Sequence, residues 1–249
     1  AKRYPLLVVA HGGPAGAYVN NYRVGGLEGG QVWAGQGWAV FYPNPRGSTN
    51  YGDKFLKANV ADWGGGDFAD IDSGVDALIE RGIADQDKLA HIGWSYGGYM
   101  TAWTITQTQR YKAAMVGAGL TNMWSMYGTN DIPNTLIGYF GGIANKETLP
   151  LYLNRSAMTH IDNVTTPTLI LHGASDDRDR GDGKRHGARD DRQLGVLPGG
   201  KPPRHRHLGA LCSLRECDGH RDGQVVSRAT EGLVRLHMHP NEQVSVRTT

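Results

Sequence analysis

The pentapeptide Gly93-Trp94-Ser95-Tyr96-Gly97 sets one hydroxyl between two glycines, directly after the largely apolar run Lys88 to Ile92 and before a segment of helical spacing. That context is a strand, a sharp turn and a helix, in which a G-x-S-x-G match reads as a nucleophile elbow. Small residues on either side tolerate the strained backbone such a turn needs, so that Oγ of Ser95 stands clear at the head of the new helix. The helix start aims unpaired N–H groups and the positive end of its dipole at any negative charge that develops there. The chemistry this fits is attack on a carbonyl. A bare G-x-S-x-G also marks ordinary tight turns with a solvent-facing serine, but the strand and helix on either side favour the elbow.

A second motif is independent of the first. Leu6 to Ala10 reads as a buried strand that runs into His11-Gly12-Gly13-Pro14. In α/β-hydrolases a His-Gly-Gly turn after an early strand donates one N–H to the oxyanion hole, and the residue after the nucleophile donates the other. The expected donors are Gly12 or Gly13, of which Gly13 is preferred, and Tyr96. His11 then reads as part of that turn. A serine hydroxyl is a weak nucleophile until an imidazole takes its proton, and the imidazole needs an acid to fix its tautomer. In this fold the acid follows the serine and the histidine comes last.

The elements that would carry these residues are legible. A chain of 249 residues, 39% hydrophobic, can bury one substantial core. Candidate strands are Leu6 to Ala10, Ala39 to Tyr42, Lys88 to Ile92, Ala113 to Gly117 and Thr168 to His172, each ending near Gly, Pro or Asn. Between the second and third lies a helix with Ile71, Val75, Leu78 and Ile79 on one face, with Asp67, Asp70 and Asp72 crowding its first turn and Gly82 stopping it. This alternation predicts an α/β fold with a doubly wound, mostly parallel sheet, whose ligands bind beyond the carboxyl ends of the strands. Ser95 sits at such an end.

On these residues, and on Asn44-Pro45-Arg46-Gly47-Ser48 with Tyr51-Gly52, Asp62-Trp63-Gly64-Gly65, Gly98-Tyr99 and Pro167-Thr168-Leu169-Ile170-Leu171-His172-Gly173, the chain resembles the catalytic domain of the prolyl oligopeptidase family of serine peptidases. Its acylaminoacyl peptidase and dipeptidyl peptidase branches are the most similar. The resemblance covers residues 4 to 178 and implies a family α/β-hydrolase core over residues 1–178. It maps the acid, through the pattern His-Gly-x-x-Asp-x-Arg, to Asp176, with Asp177 as the fallback. Arg178 matches an arginine that can bond a substrate carbonyl; His172 reads as a strand-end residue that orients the acid loop. The general base should follow Asp176 by some thirty residues, which brackets His205 and His207; His207 fits the spacing slightly better. Trp124, Met126 and Tyr127 fall where the family's acyl-side pocket is walled, and their other reading is plain core packing. Family peptidases usually carry an N-terminal β-propeller, of which this chain shows none; it begins without Met shortly before its first core strand and reads as a processed or excised piece.

Residues 179–249 form an atypical basic tail. From Arg178 onward there are 14 Lys and Arg against 9 Asp and Glu, whereas the residues before it have 12 against 15. No isoleucine follows Ile170 and no aromatic residue follows Tyr152, so the further strand and closing helix this fold needs are not convincingly written. A nucleic-acid-binding extension is disfavoured by interspersed acids and the lack of stacking aromatics. A metal site from His205, His207, Cys212, Cys217, His237 and His239 lacks a Cys-x-x-Cys knuckle. The reading preferred is translation out of frame: Leu194 to His207 can be encoded by codons that, one base later, spell Ser-Val-Phe-Tyr-Pro-Gly-Glu-Ser-His, similar to the family's histidine loop.

The expectation is thus a serine hydrolase cleaving short peptides through an acyl-enzyme. The alternatives are a stand-alone carboxylesterase or lipase-like hydrolase and a catalytically silent scaffold. No cofactor or metal is required, and the partner is a small peptide or ester substrate rather than nucleic acid or membrane. No apolar stretch reaches membrane-spanning length and no signal segment is read, which favours the cytoplasm without establishing it. Two cysteines say little about compartment.

Overall fold

The computed structural model describes residues 2–26, 28–173 and 176, and beyond them the backbone of five strands. The first strand, β1 (Tyr4–Ala10), is buried on both sides: Leu6, Val8 and Ala10 enter one apolar cluster, and Leu7 and Val9 another. A strand with no polar face belongs inside a parallel sheet covered on each side. It pairs in parallel with β2 (Ala39–Phe41) and β3 (Ala84–Trp94); β3 continues to β4 (Ala113–Gly117) and β4 to β5 (Thr168–Gly173), again in parallel. The five strands expected from sequence are therefore present, and the sheet is the parallel core of an α/β fold. β3 is longer than its apolar run because Asp85, Gln86, Asp87 and Lys88 extend it with polar residues.

Tertiary placement of the helices follows their apolar faces. In α3 (Gly66–Glu80), Ile71 and Val75 are buried and Leu78 and Ile79 pack on the same cluster; Gly82, at φ 71°, turns the chain out of the helix. In α4 (Tyr96–Gln107) every residue from Tyr96 to Thr106 is buried, which is the signature of a helix running through the core. Before these come α1 (Gly30–Gly35) and the single turn α2 (Asp53–Leu56). After β4 the chain forms α5 (Met123–Thr129), α6 (Pro133–Tyr139), α7 (Leu149–Asn154) and a 3-10 segment, Ala157–Asn163. Trp63, Tyr96, Tyr99, Phe140 and Tyr152 give the main cluster its bulk.

No convincing strand is expected from the residues after Arg178, and here the structure differs. β6 (Arg192–Leu197) pairs antiparallel with β5, β7 (Cys212–Ser213) extends it, and β8 (Val225–Ala229), β9 (Gly232–His237) and β10 (Ser245–Thr248) form a separate antiparallel sheet. The apolar stretch in β6, Leu194-Gly195-Val196-Leu197, is short and interrupted by glycine, too weak a signal to stand out without the open edge of β5 beside it.

Candidate active site

The carboxyl ends of the central strands are in register. Ala10 lies opposite Gly93, Trp94 opposite Gly117, and Gly117 opposite Leu171. The chain segments that follow, His11 to Pro14, Ser95, and the loop to Asp176, therefore leave the sheet along one edge, where an open α/β sheet binds its ligands.

Between β3 and α4 a single residue, Ser95, makes the whole turn. Its backbone sits at φ 59°, ψ −119°, outside the regions an L-residue prefers, at a cost on the order of 1–3 kcal/mol. Packing holds it there. The Ser95 N–H donates to Gly117 O at 2.9 Å, and Tyr99 N–H donates to Ser95 O at 2.9 Å. The flanking glycines are sterically required: a Cβ built on Gly97 would lie 2.1 Å from Ala10 O, and one on Gly93 would lie 2.4 Å from the Gly97 carbonyl carbon. Ser95 remains partly exposed while Tyr96, at the start of α4, is buried. As the first residue of a helix, Tyr96 has an N–H without an intrahelical acceptor. Trp94 on the other side is 45% exposed and lies against Gly117.

The His11-Gly12-Gly13-Pro14 turn lies against this elbow. A Cβ on Gly12 would be 3.7 Å from Ser95 Cβ and 3.3 Å from Trp94 O, so the backbone passes the serine at close range; Gly13 follows at φ 140°. The His11 ring ties the turn down. Ser48 Oγ donates to Pro45 O at 2.6 Å; His11 Nε2 lies 2.9 Å from Ser48 Oγ and Nδ1 lies 2.9 Å from Gly12 O. Burial lowers the His11 pKa, against the opposing pull of the Gly12 carbonyl. Arg46, in the same loop as Ser48, makes a forked pair with Asp70 at 2.8 and 2.7 Å and also donates its backbone N–H to it. Burial alone would raise the Asp70 pKa, but Arg46 brings it below the usual carboxylate value. His91, on β3, is a core histidine: it is fully buried, bonded through Nδ1 to Thr101 Oγ1 at 2.9 Å, and burial pushes its pKa down to about 3.

Past β5, Asp176 N–H donates to Gly173 O at 3.0 Å, and its carboxylate lies 3.9 Å from Nε2 of His172, each side chain about a quarter exposed. The residues expected to wall a pocket divide around α5. Met126 is buried in the main cluster, which settles it as core; Tyr127 is half-buried, edge-on to Tyr152 at 5.7 Å; Trp124 is 43% exposed. Asp177, Arg178, His205 and His207 lie outside the described residues. Among the described residues no cluster of His, Cys, Asp or Glu has metal-site geometry, and no helix is long and apolar enough to cross a membrane.

Sequence reasoning missed Asp67. Its place beside Asp70 and Asp72 reads as an acidic helix start, but it is fully buried, accepts from Phe68 N–H at 2.8 Å and accepts a hydrogen bond from the Tyr96 hydroxyl. Burial raises its pKa to about 6 against those hydrogen bonds. The signal in the sequence is the Asp62-Trp63-Gly64-Gly65 motif just before it.

Residues 29–179 match the model of the prolyl oligopeptidase family. The chain belongs to that family. Among curated prolyl oligopeptidase relatives, it is 41% identical over 182 residues to the uncharacterized peptidase YuxL of Bacillus subtilis (strain 168), covering 70% of this chain and 26% of that one. It is 30% identical over 181 residues to dipeptidyl-peptidase 5 of Schizosaccharomyces pombe, covering 72% and 26%. The structure of Pyrococcus horikoshii acylaminoacyl peptidase superposes with a TM-score of 0.64 at 30% identity, covering 72% of this chain and 29% of that one. The chain thus spans about a quarter of the length of its family relatives, and the matched portion is the α/β-hydrolase sheet with its elbow.

Proposed function

We propose that the chain carries the nucleophile half of a serine peptidase and cleaves short peptides through an acyl-enzyme. Ser95 Oγ attacks the carbonyl carbon, the tetrahedral oxyanion is held by the N–H groups of Tyr96 and Gly13, and collapse expels the amine. Asp176 orients and stabilises the histidine that shuttles the proton, which the chain order assigns to His207, with His205 its near equal. Arg178 bonds a substrate carbonyl, and Trp124 and Tyr127 line the acyl side. The observation that carries this reading is Ser95 itself, partly exposed at positive φ between two sterically required glycines at the head of a buried helix. Its peptide preference is supported by the relatives' descriptions as dipeptidyl and acylaminoacyl peptidases.

Aminoacyl-anilides assayed beside p-nitrophenyl esters test the substrate, with anilide turnover expected and turnover of esters alone assigning a carboxylesterase. A fluorophosphonate probe tests the chemistry: labelling of wild type but not of Ser95→Ala is expected, and equal labelling, or none, refutes it.

A second reading rests on the tail. The family match ends at residue 179, where the balance of charge changes sign and aromatic residues are already absent. If residues 179–249 are translated out of frame, the general base is missing and the chain is a silent scaffold. Sequencing the gene decides between the two readings: a one-base offset near Asp179 that restores an aromatic-bearing frame supports this second one, and an intact frame without such an offset overturns it.

A further inference from the structure

The Asp62-Trp63-Gly64-Gly65 motif has no part in the mechanism above, yet the turn it forms is bonded on several sides. Asp62 Oδ2 accepts from Gly66 N–H at 2.7 Å and closes the start of α3, while its other oxygen receives Arg155 at 2.8 Å. This brings Asp67, one residue into α3, into the core with no exposed surface. The Asp67 carboxylate is itself held by Phe68 N–H and by the backbone of Gly64. It receives the phenol of Tyr96. The Tyr96 ring is in turn flanked by Trp63, edge-on at 4.9 Å, and by Tyr99 at 5.7 Å. The same turn meets α4 a second time, where a Cβ on Gly64 would lie 2.5 Å from the ring of Trp103.

Tyr96 is the residue whose backbone follows Ser95 and starts α4. A backbone held outside its preferred region persists only where surrounding contacts over-determine it. The contacts at Ser95 itself act on the main chain from the β4 side; the phenol–carboxylate bond acts from the opposite end of the Tyr96 side chain, through α3.

We infer that Asp67 is a positioning residue: by holding the Tyr96 hydroxyl it fixes the first residue of α4, and with it the direction of the Tyr96 N–H and of Ser95 Oγ. This rests on the reading of Ser95 as nucleophile and of Tyr96 N–H as oxyanion donor. Asp67 touches no reacting atom, so its effect falls on the rate of the chemical step and not on ligand affinity.

The test measures fluorophosphonate labelling of the full chain as separate affinity and rate constants, with the intact fraction titrated and hydrogen exchange followed over residues 93–99. Tyr96→Phe keeps the ring and removes the hydroxyl. It is expected to slow labelling about ten- to a hundredfold at unchanged probe affinity, less than the ~10²–10³ that follows loss of an oxyanion donor outright, and to speed exchange at the elbow. Asp67→Asn keeps an acceptor for the phenol and is expected to label close to the wild-type rate. Tyr96→Phe combined with Asp67→Ala should be no slower than Tyr96→Phe alone, because both remove one bond. If Tyr96→Phe does not fold, Asp67→Ala takes its place with the same expectation. Wild-type rates in the folded fraction of Tyr96→Phe or Asp67→Ala, with Ser95 still labelled, overturn the inference and leave the nucleophile standing. Wild type labelling no better than Ser95→Ala overturns the nucleophile, and the inference with it.

Discussion

The ends of β3 and β5 leave the sheet at the same edge but are held in place by different means. At β3 the elbow is wedged: Gly93 and Gly97 admit no side chain, Ser95 N–H is bonded to the neighbouring strand, and the next residue is buried. At β5, among the described residues, Asp176 N–H is bonded three residues back and its carboxylate is about a quarter exposed beside His172. A strained backbone needs packing from several elements to persist, whereas the carboxylate proposed to support an imidazole needs the right height above the sheet. The two ends should therefore respond to mutation in different currencies, the first in stability as well as rate, the second in rate alone.

Four measurements sharpen or break that contrast. Ser95→Ala should cost on the order of 10³-fold or more in labelling and hydrolysis with little change in Tm, since the contacts that hold the elbow among the described residues are made by its backbone. Asp176→Asn should lower kcat by about 10²–10⁴ with the Tm unmoved; a fall in Tm comparable to that of an elbow variant would mean the acid loop is packed after all. Asp67 gives a pH signature. Burial, with the charge of Asp62 adding to it, raises its folded pKa to about 6, so the folded protein holds this proton more tightly than the unfolded chain does. The stabilisation is fully present below the unfolded value, near pH 4, and is lost as pH rises through about 6, a change on the order of 3 kcal/mol. The stability difference between wild type and Asp67→Asn should accordingly fall between those pH values and stay flat above them; an opposite slope refutes the assignment. Gly97→Ala, whose new Cβ would meet Ala10 O, should destabilise by about 1–3 kcal/mol and lose activity with it, read by thermal unfolding and labelling together.

The parts of the molecule that follow from local pattern were legible in advance. The five parallel strands were readable because both-sided burial leaves continuous apolar runs such as Leu6 to Ala10, and the elbow because glycine, hydroxyl and helix start are adjacent in the chain. Asp67 was not legible in the same way. Its partner lies 29 residues further on, and nothing in an acidic helix start distinguishes a buried carboxylate from its solvated neighbours. Met126 and Trp124 show the same limit at shorter range: two residues apart on one helix, they point to the core and to solvent, which spacing alone does not assign without knowing where the helix docks. β6 was missed because its register is supplied by the edge of β5 rather than by its own residues.

One consequence concerns chemoselectivity. The closest serine–histidine contact among the described residues is Ser48 with His11, at 2.9 Å, and by distance alone it looks like an activated pair. Ser48 has no solvent-accessible surface, and its proton is already committed to a carbonyl. An electrophile diffusing to this edge of the sheet would meet the partly exposed serine at the bend and not the fully buried Ser48, so of these two hydroxyls covalent modification should fall on Ser95 by topography, even though the other is the better paired.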